Sequence, residues 1–344
     1  MTTTPDRAVL HILAADIGGT HARFASVRVD GPCRSQLGPV FQMDTQQSGV
    51  GNFTDFWRVF RRDAPAELAD VESFDAVALA LAGSVSGQSA VLPNIDWNID
   101  PAEVRCFAHL YLLNDFIAQG HALTVAGALE ALERVRDGQP SGRGSIALVG
   151  AGTGLGHCVL YPPDANTAPH CWRVAGSEAG HCSFAFQGEH EREIEHAWLQ
   201  GSGRGWLSND EVVSGAGVVA LHAALTGQTV SPARALEHEE TAAWFSRFCG
   251  RACRNYCLSV FPVDCLVLTG GIAARNPWLV RSSEFGESFN DGKEYRELLA
   301  RIPIRLNTDP HIGIRGAAVH AAQEMHRFAL NGKRAASGCV LPGA

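Results

Sequence analysis

The sequence predicts an α/β protein with two lobes, each of which opens with a β-hairpin. Two glycine-rich segments, 16–23 (DIGGTHAR) and 150–156 (GAGTGLG), each lie between two apolar runs. Apolar runs that meet at a glycine turn are typical of hairpins. The chain of 344 residues exceeds the usual size of one core, and its 46% hydrophobic residues are sufficient to fill two. The repeated hairpin therefore predicts a duplicated architecture.

The other elements follow from hydrophobic periodicity along the chain. In the first lobe, strands are predicted at residues 9–15, 22–29, 76–82 and 110–113, and a helix at 53–62. In the second, strands are predicted at 145–149, 156–161 and 265–268, and helices at 191–199, 216–225 and 242–261. The polar, glycine-bearing segment 283–294 is interpreted as a surface excursion. Residues 314–330 have helical periodicity, and residues after 330 are expected to be loose.

The first hairpin has the composition of an anion site. Gly18 and Gly19 accept positive φ and have no Cβ, so successive N–H groups can converge on a phosphate. Thr20 adds a hydroxyl and Arg23 a charged fork. The second hairpin repeats this arrangement with Gly152, Thr153 and Gly154. Each turn alone is equally well explained as a tight hairpin without a ligand, but two such hairpins together predict a polyphosphate site.

Several other functions are disfavoured. No GxxxxGK[ST] string occurs, and DIGG lies in a strand–turn–strand setting, which argues against a dinucleotide fingerprint and hydride transfer. A net charge of −8 without a long basic run argues against nucleic acid or a membrane surface as partner. No secretory signal or membrane-length apolar run is evident, which predicts a cytoplasmic protein.

Cysteine spacing does not indicate a metal or disulfide framework. The ten cysteines are scattered without a CxxC pair. Cys249, Cys253 and Cys257 recur every four residues in an apolar helical stretch, which favours a buried helix face over a metal stripe. His190 and His196 lie in a charged stretch and are interpreted as part of a solvated face.

Two further segments suggest a nucleotide loop and a base. The segment 269–276 (TGGIAARN) follows a predicted strand, and Gly270 and Gly271 would let the backbone approach a nucleotide; the alternative is a simple strand-to-helix turn. The strand 110–113 ends in Asn114 and Asp115. A carboxylate at a strand end is well placed for catalysis, although Asp at this position also often caps the following helix.

In this order the segments resemble the bacterial glucokinases, within the ATPase superfamily that also includes hexokinase, actin and the heat-shock chaperones. The resemblance runs through DIGGTHAR, LLNDFIA (112–118), VGAGTGLG, SEAGH (177–181), VVSGAG (212–217), LTGGIAARN and PHIGIRGAA (310–318). It implies a two-lobed actin-like ATPase fold of the ribonuclease H-like type, with duplicated mixed sheets, flanking helices and an interlobe cleft. The small domain would comprise residues 1–113 plus about 312–335, the large domain 114–311, and 336–344 a loose tail.

The resemblance also implies an activity, the ATP-dependent phosphorylation of D-glucose at its 6-hydroxyl with Mg²⁺, and a homodimer. Asp115 is then the general base, and Asp16 the carboxylate in the outer shell of Mg²⁺. The implied sugar ligands are Asn114, Asp115, Glu178, His181 and Glu211, with Asn94 from the first lobe. The implied nucleotide site comprises Ala15, Asp16, Ile17, Gly18, Gly19, Thr20, Arg23, Gly152, Thr153, Gly154, Gly270 and Gly271.

Three alternatives remain open at the level of sequence. The acceptor could be mannose, fructose or an N-acetylated amino sugar, and the donor ADP or polyphosphate. A sugar-sensing regulator or nucleotide switch could use the same fold without phosphoryl transfer.

Two positions depart from the family pattern: His21 stands where Asn is usual, and Ala179 where a second Gly is usual. Only Cys182 follows His181, so the structural zinc of related sugar kinases is not expected.

Overall fold

The computed structural model describes residues 9–31, 34–46, 50–87, 89–92, 95, 97–100, 109–163, 172–200 and 203–337, with side chains as far as Arg327. It divides into two compact units. The first combines residues 1–128 with 311–344, and the second comprises residues 129–310.

Both units contain strands and helices. The strands are β1 (Val9–Ile17), β2 (His21–Asp30), β3 (Arg34–Leu37), β4 (Phe41–Asp44), β5 (Ala76–Leu81), β6 (Ser84–Ser86), β7 (Ser89–Leu92), β8 (Trp97–Ile99), β9 (Leu110–Asn114), β10 (Glu133–Arg136), β11 (Ser145–Ala151), β12 (Leu155–Tyr161), β13 (Arg173–Ser177), β14 (Val263–Thr269) and β15 (Ile304–Leu306). The helices are α1 (Phe53–Asp63), α2 (Ala66–Ala69), α3 (Asp115–Leu123), α4 (Gly188–Gln200), α5 (Asn209–Val212), α6 (Gly215–Thr226), α7 (Pro232–Leu236), α8 (Glu239–Ser259), α9 (Gly271–Arg275), α10 (Pro277–Arg281), α11 (Ser283–Asn290), α12 (Arg296–Arg301) and α13 (Ile312–Ser337). Each predicted strand and helix overlaps one of these.

The main sheets of the two units repeat one strand order. In the first unit the order is β3-β2-β1-β5-β9, and in the second it is β13-β12-β11-β14-β15, with β10 beyond β15. In both sheets the hairpin strands are antiparallel and the following strands are parallel to the first hairpin strand. This correspondence confirms the predicted duplicated mixed sheets.

Alternating side chains of β1 and β2 pack into two cores, one on each face of the first sheet. On one face, aromatic residues of α1 contact Phe24, and the ring centroids of Phe24 and Phe60 are 4.0 Å apart. Asn52 caps this helix by accepting a hydrogen bond from the Asp55 amide. On the other face, Ile12 and Ala14 pack against the small apolar residues of α13. Helices therefore cover both faces of the sheet.

Helices α3 and α13 approach each other very closely at Gly316. An ideal Cβ built at Gly316 would lie 1.7 Å from the carbonyl oxygen of Ala118. Because α3 packs on α13 in this way, the first unit continues through residue 128 instead of ending at the predicted boundary, residue 113.

A buried histidine pair joins the same two helices. His121 Nδ1 lies 2.8 Å from Gln323 Oε1, and His121 Nε2 lies 3.1 Å from His320 Nδ1. The Gln323 amide donates in turn to Thr124 Oγ1. Burial lowers the pKa of His121 to about 3, and the neighbouring His320 adds to this effect. The network is satisfied when both imidazoles are neutral, each with one ring nitrogen donating.

This pair predicts loss of stability in acid. Because the folded-state pKa of His121 lies below its usual value near 6.5, the unfolded state takes up more protons as pH falls from 6.5 towards 3. From pH 7 to pH 5, the His121 contribution to the free energy of unfolding should decrease by about 2 kcal/mol. Urea unfolding of wild type and His121→Gln at both pH values measures this, and the variant should have the shallower pH dependence. Equal slopes for His121→Gln and wild type would contradict the prediction.

The prediction of a surface excursion at residues 283–294 is wrong. Residues 283–290 form helix α11, which is capped by Ser282 through the Phe285 amide. Phe285 and Phe289 are 1% and 0% exposed, and the helix packs against α8 where Gly250 has no Cβ to obstruct it. Two aromatic residues four positions apart thus form the buried face of a short helix.

Other regions of the chain extend or limit the predictions. Helix α13 continues to Ser337, so residues 331–337, expected to be loose, are helical, and residues 338–344 lie outside the described residues. Cys249, Cys253 and Cys257 are buried on α8, as predicted. In the described part of the chain, no group of three or more His, Cys, Asp or Glu side chains is arranged to hold a metal ion, and no helix is both long and apolar enough to cross a bilayer.

Candidate active site

The first glycine hairpin (β1–β2) has its turn at residues 18–20, and its last strand pair is Ile17 with Ala22. The Gly18 amide donates to His21 O at 3.0 Å. The Gly19 carbonyl accepts a hydrogen bond from the Gln46 side chain, and the Thr20 carbonyl accepts one from the Thr45 amide. These bonds fix the peptide planes of the turn, while the Thr20 side chain is exposed to solvent.

Asp16 and Arg23 face each other across the first glycine hairpin. Arg23 Nε donates to Gln42 Oε1 at 3.1 Å. The Asp16 carboxylate lies at the start of α13, where an ideal Cβ at Gly313 would be 2.9 Å from its Oδ2. Burial raises the pKa of Asp16 to about 6, and Arg23 partly offsets this. Such a carboxylate is favoured in its charged form by a nearby cation.

The second glycine hairpin (β11–β12) has a turn at residues 152–154. Its last pair is Ala151 with Leu155, and the Gly152 amide donates to Gly154 O at 2.8 Å. Thr153 is exposed and lies two positions before Leu155, the first paired residue of β12. Thr20 likewise lies two positions before Ala22, the first residue of β2 that pairs with β1. The predicted equivalence of the two threonines therefore holds when counted from the second strand.

The segment after β14 requires glycine. Gly270 has a φ of +88°, in a region that favours glycine, and a Cβ there would overlap Ala151 O at the end of β11. Helix α9 begins directly at Gly271. Gly150 of β11 pairs with Thr269 of β14, so this loop and the second glycine hairpin leave the same edge of the second sheet.

Asn114 and Asp115 lie where β9 passes into α3. Asn114 is the N-cap: its Oδ1 accepts hydrogen bonds from the amides of Phe116 and Ile117, and its Nδ2 donates to Gly83 O. Asp115 is the first helical residue and is half-buried, and its Oδ1 also accepts from the Phe116 amide at 3.0 Å. The N-cap position, which the alternative interpretation gave to Asp115, is therefore occupied by Asn114.

Strand register places these residues near the first glycine hairpin. Ile17 of β1 pairs with Leu81 of β5, and Leu81 pairs with Asn114 of β9. Because these strands are parallel, their carboxyl ends meet at one edge of the first sheet. Ala15 and Ile17, which the sequence assigned to the nucleotide site, are fully buried in β1 below the turn.

Glu178 precedes a 3₁₀ turn, Ala179–His181, that follows β13, and His181 is the last residue of this turn. Glu178 Oε2 and His181 Nε2 are 3.5 Å apart, and the two side chains are 79% and 71% exposed. A Cβ at Gly180 would overlap Leu155 O, so this turn rests directly on the start of β12. The second unit thus brings an exposed carboxylate–imidazole pair next to the second glycine hairpin.

Glu211 occupies the first turn of the short helix α5. It forms a capping box with Ser208 and an ion pair with Arg204, and its side chain is 25% exposed. Its charge therefore stabilises the N-terminus of α5.

The family model for glucokinase matches residues 13–324. The chain belongs to the glucokinase family. It is similar to the glucokinase of Synechocystis sp., with 27% identity over 91% of this chain and 98% of that protein. A solved glucokinase from an Antarctic psychrotroph has a TM-score of 0.72 at 24% identity and covers 91% of this chain and 99% of its own. A glucokinase of the ROK family from Streptomyces griseus, solved with glucose and AMPPNP, has a TM-score of 0.55 at 19% identity over 91% of this chain and 99% of its own.

This glucokinase-family chain is accordingly an ATP-dependent hexose kinase. Sequence reasoning missed two of its residues that contact the candidate site. Asn209 and Asp210 precede Glu211 and bond to the 3₁₀ turn and the second glycine hairpin. The only sequence signal for these two residues is that they form, with Glu211, a polar triplet directly before VVSGAG. The sequence analysis selected only Glu211 from this triplet. Asn94 lies outside the described residues.

Proposed function

We propose that this hexose kinase is a glucokinase that transfers the γ-phosphoryl group of ATP to the 6-hydroxyl of D-glucose, giving glucose 6-phosphate and ADP. The observation that carries the proposal is the strand register, in which Ile17 pairs with Leu81 and Leu81 with Asn114. Through this register, the Asp115 carboxylate lies at the sheet edge from which the first glycine hairpin emerges. Phosphoryl transfer depends mainly on alignment of the acceptor hydroxyl with the donor. The names of the family and of its relatives support glucose as the acceptor.

Asp115 is the proposed general base. It would orient the sugar 6-hydroxyl and accept its proton as the oxygen attacks phosphorus. It is the first residue of α3, so its carboxylate lies where the helix N-terminus carries partial positive charge. Asn114 caps the helix, so Asp115 is not required as the cap.

The proposed sugar ligands are Asn114, Glu178, His181 and Glu211 with Asp115, and Asn94 by prediction alone. Sugar discrimination requires fixed donors and acceptors, so that a wrong epimer leaves one of them unpaired. The exposed Glu178–His181 pair offers an acceptor and a donor 3.5 Å apart. Glu211 is held by Ser208 and Arg204, which fixes the direction of its carboxylate.

The proposed nucleotide site uses both glycine hairpins. Their backbone amides, Thr20, Thr153 and Arg23 would bind phosphates, and Gly270 and Gly271 would let the backbone approach the adenosine. Asp16 fits a magnesium site, since it offers hard carboxylate oxygens whose charge is disfavoured by burial and would be stabilised by a cation. When bound with ATP, Mg²⁺ would neutralise charge on the phosphates. The homodimer and the cytoplasmic location remain predictions from the sequence.

A coupled assay with Mg-ATP tests the function. Purified protein is supplied with glucose, mannose, fructose, N-acetylglucosamine or N-acetylmannosamine, and ADP release is followed. We expect kcat/KM for glucose to exceed that for each other sugar by about 100-fold, because a hydroxyl that is mispaired in the site is strongly rejected. Preference for another sugar, or ADP release without a sugar phosphate, would contradict the proposal.

A further inference from the structure

Two adjacent residues of α5 bond to two different parts of the candidate site. Asn209 Nδ2 donates to Ala179 O at 3.0 Å and to Cys182 O at 3.1 Å, and so holds the turn between Glu178 and His181. Asp210 Oδ1 accepts a hydrogen bond from the Leu155 amide at 2.6 Å. Leu155 is the residue at which the turn of the second glycine hairpin ends and β12 begins.

The Asp210 carboxylate is packed directly against this turn. A Cβ at Gly154 would overlap Asp210 Oδ1, so the carboxylate occupies the space that any larger residue would need. At the other end of the turn, the Gly215 amide donates to Gly152 O at 2.9 Å. The segment 210–215 therefore holds both ends of a three-residue turn that itself contains only one short-range backbone bond, from Gly152 to Gly154.

The charge of Asp210 is unfavourable for a neighbouring phosphate. If its charge alone mattered, a carboxylate beside this turn would repel the nucleotide, and removing it would tighten binding. A bond from a backbone amide to a carboxylate is shorter and stronger than one to a neutral acceptor. The presence of a carboxylate at this position is therefore best explained by its strong hydrogen bond to the Leu155 amide, which fixes the conformation of the preceding turn.

We propose that Asp210 is a positioning residue for phosphoryl transfer, which fixes the turn 152–154 in the conformation that binds nucleotide phosphates. The proposal rests on the phosphate-binding role proposed for the second glycine hairpin. Without Asp210 the Leu155 amide loses its acceptor at the point where the strand pairing starts, and the turn can adopt other conformations. Small displacements of this kind reduce transfer rates strongly, because alignment is the main contribution of the protein.

The test compares Asp210→Ala and Asp210→Asn with wild type, using AMPPNP binding by calorimetry and the steady-state constants for ATP and glucose. For Asp210→Ala we expect AMPPNP affinity and kcat each to fall by about 10- to 100-fold. Glucose affinity should change by less than about 2-fold, since the turn 179–182 is held by Asn209. Asp210→Asn keeps an acceptor oxygen and should recover part of the loss.

Asp264→Ala is the matched control. Asp264 also accepts two backbone bonds, from Ser141 and Gly144, and packs against Gly144 as Asp210 packs against Gly154. It lies at the start of β14, five residues from Thr269 at the end that carries the nucleotide loop. We expect this variant to lower thermal stability and leave AMPPNP affinity unchanged.

Three results would overturn the proposal. Weaker glucose binding with unchanged AMPPNP affinity would make Asp210 a sugar ligand. An equal loss of AMPPNP affinity in Asp264→Ala would show that the loss in Asp210→Ala results from general destabilisation of the second unit. Tighter AMPPNP binding by Asp210→Asn, which is informative even if Asp210→Ala does not fold, would show that only charge matters. Because AMPPNP binding does not depend on turnover, these outcomes are separate from failure of the wild type to phosphorylate glucose.

Discussion

Replacing Asp115 with Ala should lower kcat for glucose by about 10³-fold and change glucose affinity only a few-fold. A positioned base contributes on the order of 10²- to 10⁴-fold to a proton transfer, whereas one lost hydrogen bond among several to the sugar costs much less binding energy. The coupled assay gives kcat, and calorimetry with glucose gives the affinity. The cap of α3 should persist in the variant, because Asn114 supplies it.

Asp55→Ala is a suitable control for this substitution. Asp55 also lies in the first turn of a helix of the same unit, where it pairs with Arg58 at the protein surface. We expect its removal to leave kcat within about 2-fold, since surface ion pairs contribute little. If Asp115→Ala retained a tenth or more of wild-type kcat, another group would have to accept the proton.

Replacing Gly316 with Ala should destabilise the first unit by about 3 kcal/mol, near the upper end of what added volume costs in a packed interior. The added methyl group would overlap a backbone oxygen, Ala118 O, which cannot rotate away as a side chain could. The helices α3 and α13 would have to separate. Thermal and urea unfolding measure the loss, and it should appear without any ligand.

Gly286→Ala separates this effect from helix propensity. Gly286 lies in the interior of α11, and an ideal Cβ there has no described heavy atom within 4 Å outside its own local backbone. Ala in place of Gly should therefore stabilise that helix, by up to about 1 kcal/mol. Equal destabilisation by the two substitutions would show that the contact with Ala118 is not the cause.

The hairpins were predictable because their signals are local. Glycines at a turn and apolar residues on either side are adjacent in sequence, so residues 16–23 and 150–156 identify the two hairpins without knowledge of the remaining chain. The transition from β9 to α3 at Asn114 and Asp115 was predicted for the same reason. The duplicated sheet order was then a consequence of two hairpins, each followed by parallel strands.

Features that depend on long-range contacts were not predictable in this way. Helix α11 has Phe285 and Phe289 as its main apolar residues, with Gly286 between them, and its burial depends on the small Gly250 of α8. The bond from Leu155 to Asp210 joins residues 55 positions apart and has no sequence motif. The contact of Gly316 with Ala118 likewise joins distant segments, and it brings α3 and α13 together within the first unit.

The core between the first sheet and α13 combines residues that are far apart in the sequence, and this has a consequence for biosynthesis. Ile12, Ala14 and Ala25 pack against Ile314, Ala317 and Ala318 of α13, whereas the second unit is one continuous segment, 129–310. A ribosome therefore synthesises the whole second unit before it makes the helix that completes the first. Strands β1 and β2 must wait, with the face of their sheet that α13 covers still open, until α13 is translated.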